Sequence, residues 1–269
     1  MRKLHLLIVF IVLLIPMLGL AENLHIEFLD VGKADAILIY SDDTTIVIDA
    51  ATNAKGKTVV KRLSELGCDH IDLMVITHFD KDHVGGADRI IKAFPVEMIY
   101  VLDYTSDSKQ TRQFFEAVEE YAVNCEALSE NRTVTVGDTL LQFDVANETD
   151  YGPDEENDFS LVTTLIYGDT KVLFTGDAEN PRLGELLLEG VEQCDVLKVP
   201  HHGRKEKLSA SFIDAVHPKE AVITSDDDNL EDASVVRALN DVGANVWLTR
   251  LGNVYMELDG KGVTVRQEK

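Results

Sequence analysis

The chain has 269 residues, 45% of them hydrophobic and 27% charged, and carries a net charge of −23 at pH 7. Those fractions are ordinary for a soluble globular protein, and the acidity opposes non-specific binding to nucleic acid or anionic membranes while leaving room for a local basic rim. The only cysteines, Cys68, Cys125 and Cys194, show no CxxC spacing, so a cysteine zinc site is not expected and buried thiols are the default.

In chain order, Arg2 and Lys3 precede an apolar run, 6–20, that exits through Gly19-Leu20-Ala21 before Glu22. Basic residues, an apolar run and a small-residue exit predict a secretory signal peptide over 1–21. A spanning helix needs about 20 apolar residues, and Pro16 falls late in this run, so no stable membrane span is expected after processing. The mature domain, 22–269, is then secreted, or held at the cell surface or in the periplasm. Short β-branched runs predict strands at 24–28, 36–40 and 44–48. An amphipathic helix follows at 58–66 with Gly67 as its stop, then a buried strand at 71–76. Helix 84–93, strand 97–102 and helix 108–122 come next. A hairpin, 161–167 with 171–174, turns at Gly168-Asp169 after an acidic loop, 150–158. Helices at 181–188, 210–216 and 234–242 then alternate with strands at 195–199, 221–224, 245–248 and 254–258. Strand-rich halves interleaved with helices predict an α/β chain of two packed sheets with helices outside.

One segment stands out: Thr77-His78-Phe79-Asp80-Lys81-Asp82-His83-Val84-Gly85-Gly86, directly after the buried strand. His78 and Asp80 share a side of the extended turn, while Asp82 and His83 open the next segment, so one loop offers paired ligands to two nearby cations. Imidazole with carboxylate suits zinc, manganese or iron rather than calcium.

This run resembles the His-x-Asp-x-Asp-His signature of the metallo-β-lactamase-like hydrolase superfamily. Phe28-Leu29-Asp30-Val31-Gly32 with Asp35-Ala36, Ile46-Val47-Ile48-Asp49-Ala50, Asn157-Asp158-Phe159-Ser160-Leu161-Val162, Leu173-Phe174-Thr175-Gly176-Asp177 and Val199-Pro200-His201-His202-Gly203 follow in the order of its ComEC-type, DNA-uptake subgroup. The resemblance implies a four-layer αβ/βα sandwich holding two divalent transition-metal ions, Zn2+ or Mn2+, at one edge. It implies that His78 and Asp80 bind the first ion, that Asp82 and His83 bind the second, that Asp177 bridges both, and that His201 completes the second. Asp82 and Asp177 are then catalytic, with His202 as a substrate-facing donor. Asp49, and Asp30 after it, are the carboxylates expected to receive the far N–H of a ligating histidine.

The chain departs from the pattern. No histidine occurs from 84 to 200, so the third imidazole that many superfamily members place on the first ion is missing. Asn157 or Asp158 is expected to complete that shell directly or through water, which favours manganese and disfavours β-lactamase activity. Asp226-Asp227-Asp228-Asn229 stands where the subgroup has Gly-His-Pro, and Arg204 where it has Ser. Arg204, Lys205 and Lys207, with Lys198 nearby, form a basic cluster suited to phosphate oxygens. Arg204, Lys205, Asn157 and Ser160 are the expected substrate contacts. No aromatic–basic interleaving predicts a nucleic-acid stacking platform. The expectation is an exported di-metal phosphodiesterase acting on DNA or a small phosphodiester, alone or beside a separate DNA-uptake channel. A hydrolase of a cell-wall or small-molecule ester, phosphorylcholine ester or lactam-like, and a non-catalytic metal-binding exported protein are the alternatives.

Overall fold

The computed structural model describes residues 22–104, 106–148, 151 and 156–268. The segment read as a signal peptide and part of the acidic loop lie outside the described residues. Among the described residues, no helix is long and apolar enough to cross a membrane.

Aliphatic and β-branched runs build the first half as β1 (Leu24–Phe28), β2 (Ile37–Tyr40), β3 (Thr45–Ile48), α1 (Gly56–Glu65), β4 (Ile71–Val75), α2 (Ala87–Ala93), β5 (Val96–Leu102), α3 (Lys109–Glu120) and β6 (Asn124–Leu128). β1 to β3 form an antiparallel meander, and β3 to β6 pair in parallel, each crossover made by a helix. The second half opens with the antiparallel strands β7 (Arg132–Val136), β8 (Thr139–Asp144), β9 (Val162–Tyr167) and β10 (Thr170–Phe174). It continues through α4 (Asn180–Glu189), β11 (Val196–Lys198), α5 (Ser209–Val216), β12 (Glu220–Ile223), α6 (Ala233–Asp241) and β13 (Asn245–Leu248), with β10 to β13 parallel. The chain then returns to the first sheet as β14 (Asn253–Leu258), antiparallel to β1, and β15 (Val263–Glu268). The sheet orders are β15-β14-β1-β2-β3-β4-β5-β6 and β13-β12-β11-β10-β9-β8-β7.

The two sheets bury a shared core that includes Phe28, Val75, Phe143, Phe174 and Val222, with the Phe28 and Phe174 rings 6.2 Å apart. Helices α1 to α3 cover the outer face of the first sheet through Val59, Leu63, Ile90 and Phe114. Helices α4 to α6 cover the second through Leu183, Phe212 and Leu239. This is the expected four-layer αβ/βα sandwich. Two details differ from the sequence reading. Helix α2 starts at Ala87 rather than at 84, because Gly85 and Gly86 are wedged against backbone: an added Cβ would lie 2.1 Å from the Lys81 carbonyl oxygen and 2.2 Å from that of Ala50. Strands β6, β7, β8 and β15 were not expected; β7 and β15 alternate half-buried and exposed residues, which leaves too few apolar side chains to mark them.

A buried charge pair locks α1 to the first sheet. Arg62 Nε donates to both oxygens of Glu27, at 2.9 and 2.8 Å, and Glu27 is fully buried on β1. Burial pushes the Glu27 carboxyl up while Arg62, Tyr255 and Asn253 pull it down. Replacing Arg62 with methionine strands that carboxylate and is expected to cost about 3 kcal/mol of stability. A carboxyl with a raised folded pKa keeps a proton that the unfolded chain releases, so the loss grows with rising pH and is larger near pH 8 than near pH 5. Denaturant unfolding at both pH values checks this; equal losses would show that Glu27 stays paired by other means.

Candidate metal centre

Parallel strands present their C-terminal ends at one edge, and the loops after β3, β4, β10, β11 and β12 gather there. The loop after β4 is fixed to the loop after β3 by Asp49. That carboxylate accepts from the Thr77 amide at 2.9 Å and the Thr77 hydroxyl at 2.8 Å, and it pairs with His83 Nδ1 at 2.7 Å. Asp49 sits in the left-handed region, φ 58°, which aspartate tolerates better than most residues and which turns its carboxylate inward. The two sheets are stitched at this edge by the Leu161 amide, which donates to the Thr77 carbonyl at 2.8 Å.

Asp177 is positioned just as firmly. Gly176 takes φ 52°, and a Cβ there would strike the Ser160 hydroxyl at 2.7 Å. The same hydroxyl accepts from the Asp177 amide at 2.9 Å. After β11 the backbone turns left-handed at two consecutive residues, His201 (φ 47°) and His202 (φ 53°), so the neighbouring rings diverge. His202 Nδ1 meets the Thr224 hydroxyl at 2.9 Å, and Thr224 in turn donates to Asp35 at 2.6 Å.

Three imidazoles converge on the carboxylates of Asp177 and Asp82. His83 Nε2 lies 3.3 Å from Asp177 Oδ1, and His202 Nε2 lies 3.0 Å from Asp177 Oδ2 and 3.6 Å from Asp82 Oδ2. Asp80 Oδ2 stands 4.0 Å from His78 Nε2. The Nε2 atoms of His78, His83 and His202 are all buried without a hydrogen-bond partner among the described residues. Buried polar atoms left unsatisfied call for an explanation, and a cation supplies one. Two ligand-sized groups result, His78/His83/Asp177 and Asp82/His83/His202, with one oxygen of Asp177 toward each. The donor set fits a pair of divalent transition metals.

Charge at the site is layered. Burial alone would raise the Asp177 carboxyl, but His202, His83 and Lys198 hold it well below the ordinary range. Asp82 is likewise held low against its burial by His202, His83 and Lys33. Burial beside His83 pushes His78 well below the usual imidazole range, leaving it free to act as a neutral ligand. Asp80, at the outer side, is pushed up to about 6 by burial, Glu156 and Asp82.

The sequence pattern of the metallo-beta-lactamase superfamily matches residues 29–224. The chain belongs to that superfamily. It is 28% identical over 174 residues to ComE operon protein 3 of Bacillus subtilis (strain 168), covering 64% of this chain and 22% of that protein. It is also 28% identical over 207 residues to Recombination protein 2 of Haemophilus influenzae, covering 74% and 24%. The chain thus spans about a quarter of the length of the curated relatives it matches. Among solved structures, the metallo-beta-lactamase fold protein YhfI from Bacillus subtilis superposes with a TM-score of 0.58 at 13% identity, covering 84% of this chain and 96% of that one. That likeness shows the fold.

Within this superfamily frame His78, Asp82, His83 and Asp177 fall in the two donor groups, Asp80 stands 4.0 Å from His78 Nε2, and Asp49 sits behind His83. Other residues fall elsewhere. His202, expected to face substrate, enters the cluster, whereas His201, expected as a ligand, turns toward Glu179 and Glu206. Asp30 is exposed, and the inner carboxylate from that segment is Asp35. Ser160 is fully buried against Asp177 rather than open to substrate, and Asn157 donates to Glu179 at 2.7 Å. Lys198 is no rim cation: it is buried, 2.5 Å from Asp35 and 3.3 Å from Asp177, with a third bond to the Gly176 carbonyl at 2.8 Å. Arg204 and Lys205 are exposed, with Arg204 Nη1 3.3 Å from His201 Nε2. Sequence reasoning missed Lys33, whose ammonium is 3.0 Å from Asp82 and a quarter exposed. The Asp226 segment positions it, since Asp226 Oδ2 accepts from the Lys33 amide at 3.0 Å. The available signal was a lone cation inside the Gly32–Asp35 turn that also carries Asp35.

Proposed function

We propose that this chain is a metal-dependent hydrolase of phosphodiesters, with two divalent ions held by His78, Asp80, Asp82, His83, Asp177 and His202. The observation that carries the reading is the convergence, on two carboxylates, of three buried imidazole nitrogens that make no hydrogen bond among the described residues. Two divalent ions there, when bound, supply an acidified water and stabilise developing negative charge on oxygen. The protein's own part is positional. Asp49 sets the His83 ring, Ser160 and Lys198 set Asp177, and Thr224 sets His202. Lys33 supplies a partly exposed ammonium on Asp82, and Arg204 and Lys205 supply charge farther out. Membership of the superfamily supports a metal-dependent hydrolase; the phosphodiester rests on these cations and on relatives one of which is named for recombination. Export by the apolar leader, and action beside a separate DNA-uptake channel, belong to the same proposal.

The test is turnover of a bis-aryl phosphodiester by metal-free protein reconstituted with Mn2+ or Zn2+. Hydrolysis in both cases absent would remove the reading. A charged hydrogen bond is worth roughly 1.5–3 kcal/mol, so Lys33→Ala is expected to lower kcat/KM on this diester at least about tenfold. Added salt should shrink that difference, because the ammonium is in contact with solvent. Arg204→Ala/Lys205→Ala is expected to have a smaller effect. A net charge of −23 favours a short diester over a long polyanion, and competition between the aryl diester and an oligonucleotide separates the two.

A further inference from the structure

Beside the candidate pair of ions lies a second group of donors that the proposed chemistry does not use. His201 is only 4% exposed, and its Nδ1 has no hydrogen-bond partner among the described residues. That nitrogen points between two carboxylates, 3.1 Å from Glu179 Oε1 but off the line of a hydrogen bond, and 3.7 Å from Glu206 Oε1. The three donor atoms lie within 4.8 Å of one another. Among the described residues no lysine or arginine forms an ion pair with either glutamate. Two carboxylates therefore face one imidazole nitrogen, and Arg204 acts on Glu206 only through space, without contact.

The carboxylates are also held in place from behind. Asn157 Nδ2 donates to Glu179 Oε1 at 2.7 Å, and Asn180 Nδ2 donates to Glu206 Oε2 at 2.6 Å while its carbonyl accepts from the Leu208 amide at 2.9 Å. Pre-oriented carboxylates with amide groups behind them are what a metal shell requires and what a solvated acidic surface lacks. We propose that Glu179, His201 and Glu206 form a third divalent-cation site, separate from the pair at Asp177, on the outer side of the same edge.

Imidazole with two carboxylates suits a borderline transition ion such as Zn2+ or Mn2+ over Ca2+. The site lies where α4 and α5 begin, so an ion there ties both helices to the loop that carries His202. Arg204 can only donate, so His201 Nε2 accepts from it and Nδ1 is the nitrogen left facing the two carboxylates.

The experiment is a titration of the metal-free full chain with Zn2+ against a chromophoric chelator, comparing the parent with Glu206→Gln and with Asp82→Asn/Asp177→Asn. The glutamine keeps the bond from Asn180 to a side-chain oxygen, and thermal unfolding of each metal-free variant checks that it folds. The site predicts that Glu206→Gln binds about one ion fewer than the parent. It also predicts that the Asp82→Asn/Asp177→Asn protein keeps an ion that is lost when Glu206→Gln is added. Equal stoichiometry of parent and Glu206→Gln overturns the site. The difference between those two proteins is read independently of the central pair. A parent that binds only the ion lost in Glu206→Gln would sink the di-metal reading and leave this site standing.

Discussion

Replacing Asp177 with asparagine is expected to lower kcat/KM on a phosphodiester at least about a thousandfold, equivalent to some 4 kcal/mol, and to weaken binding of both central ions. The reason lies in how many groups depend on this one carboxylate. One oxygen faces His83 at 3.3 Å and the other faces His202 at 3.0 Å, while Lys198 sits 3.3 Å from the first. Asparagine has the same shape but offers a single oxygen and no charge, so it can serve one side of the site and leaves Lys198 facing a neutral amide. The fold should not suffer correspondingly. The backbone bond to Ser160 does not involve the side chain, and Lys198 keeps Asp35 at 2.5 Å. Elemental analysis after reconstitution, thermal unfolding and steady-state kinetics together make the check. Unchanged metal content with unchanged turnover would remove Asp177 from the site.

The sequence carried the site's location further than its inner wiring. Apolar runs ending in ligand-type residues at 78–83, 177 and 201–202 marked strand-end loops, and parallel pairing does bring those ends to one edge. The same logic failed wherever a side chain's direction depends on backbone that tertiary contacts impose. His201 and His202 are adjacent imidazoles, and only their paired left-handed conformations decide which ring turns inward. Non-glycine residues rarely adopt that region, so no local signal announced it. Lys198 read as one of a basic run because charge clusters are usually solvated, yet the carboxylates of Asp35 and Asp177, distant in sequence, draw it fully inside. Asp30 and Asp35 share one turn, and the burial that separates them comes from Thr224 and Lys198 of the other sheet.

The adjacent histidines yield the other large effect. His202→Asn is expected to lower kcat/KM about a thousandfold, whereas His201→Asn should cost no more than about tenfold. Asparagine is the informative substitution because it tolerates the positive φ of 53° and 47° at these positions better than alanine, so backbone strain does not confound the comparison. Its side chain is too short to reach the point occupied by His202 Nε2, which stands 3.0 Å from Asp177 and 3.6 Å from Asp82. Losing that nitrogen leaves Asp82 with Lys33 as its close partner and opens one side of the second donor group. His201 instead faces Glu179 and Glu206, and its ring centre is 6.4 Å from that of His202, so its removal reaches the central ions only through charge. Two readouts separate the variants beyond rate. His202→Asn should lose a central ion, one that survives Glu206→Gln, while His201→Asn should match Glu206→Gln in metal content. The reverse ranking would return His201 to the ligand role suggested by the resemblance and make His202 the residue that faces substrate.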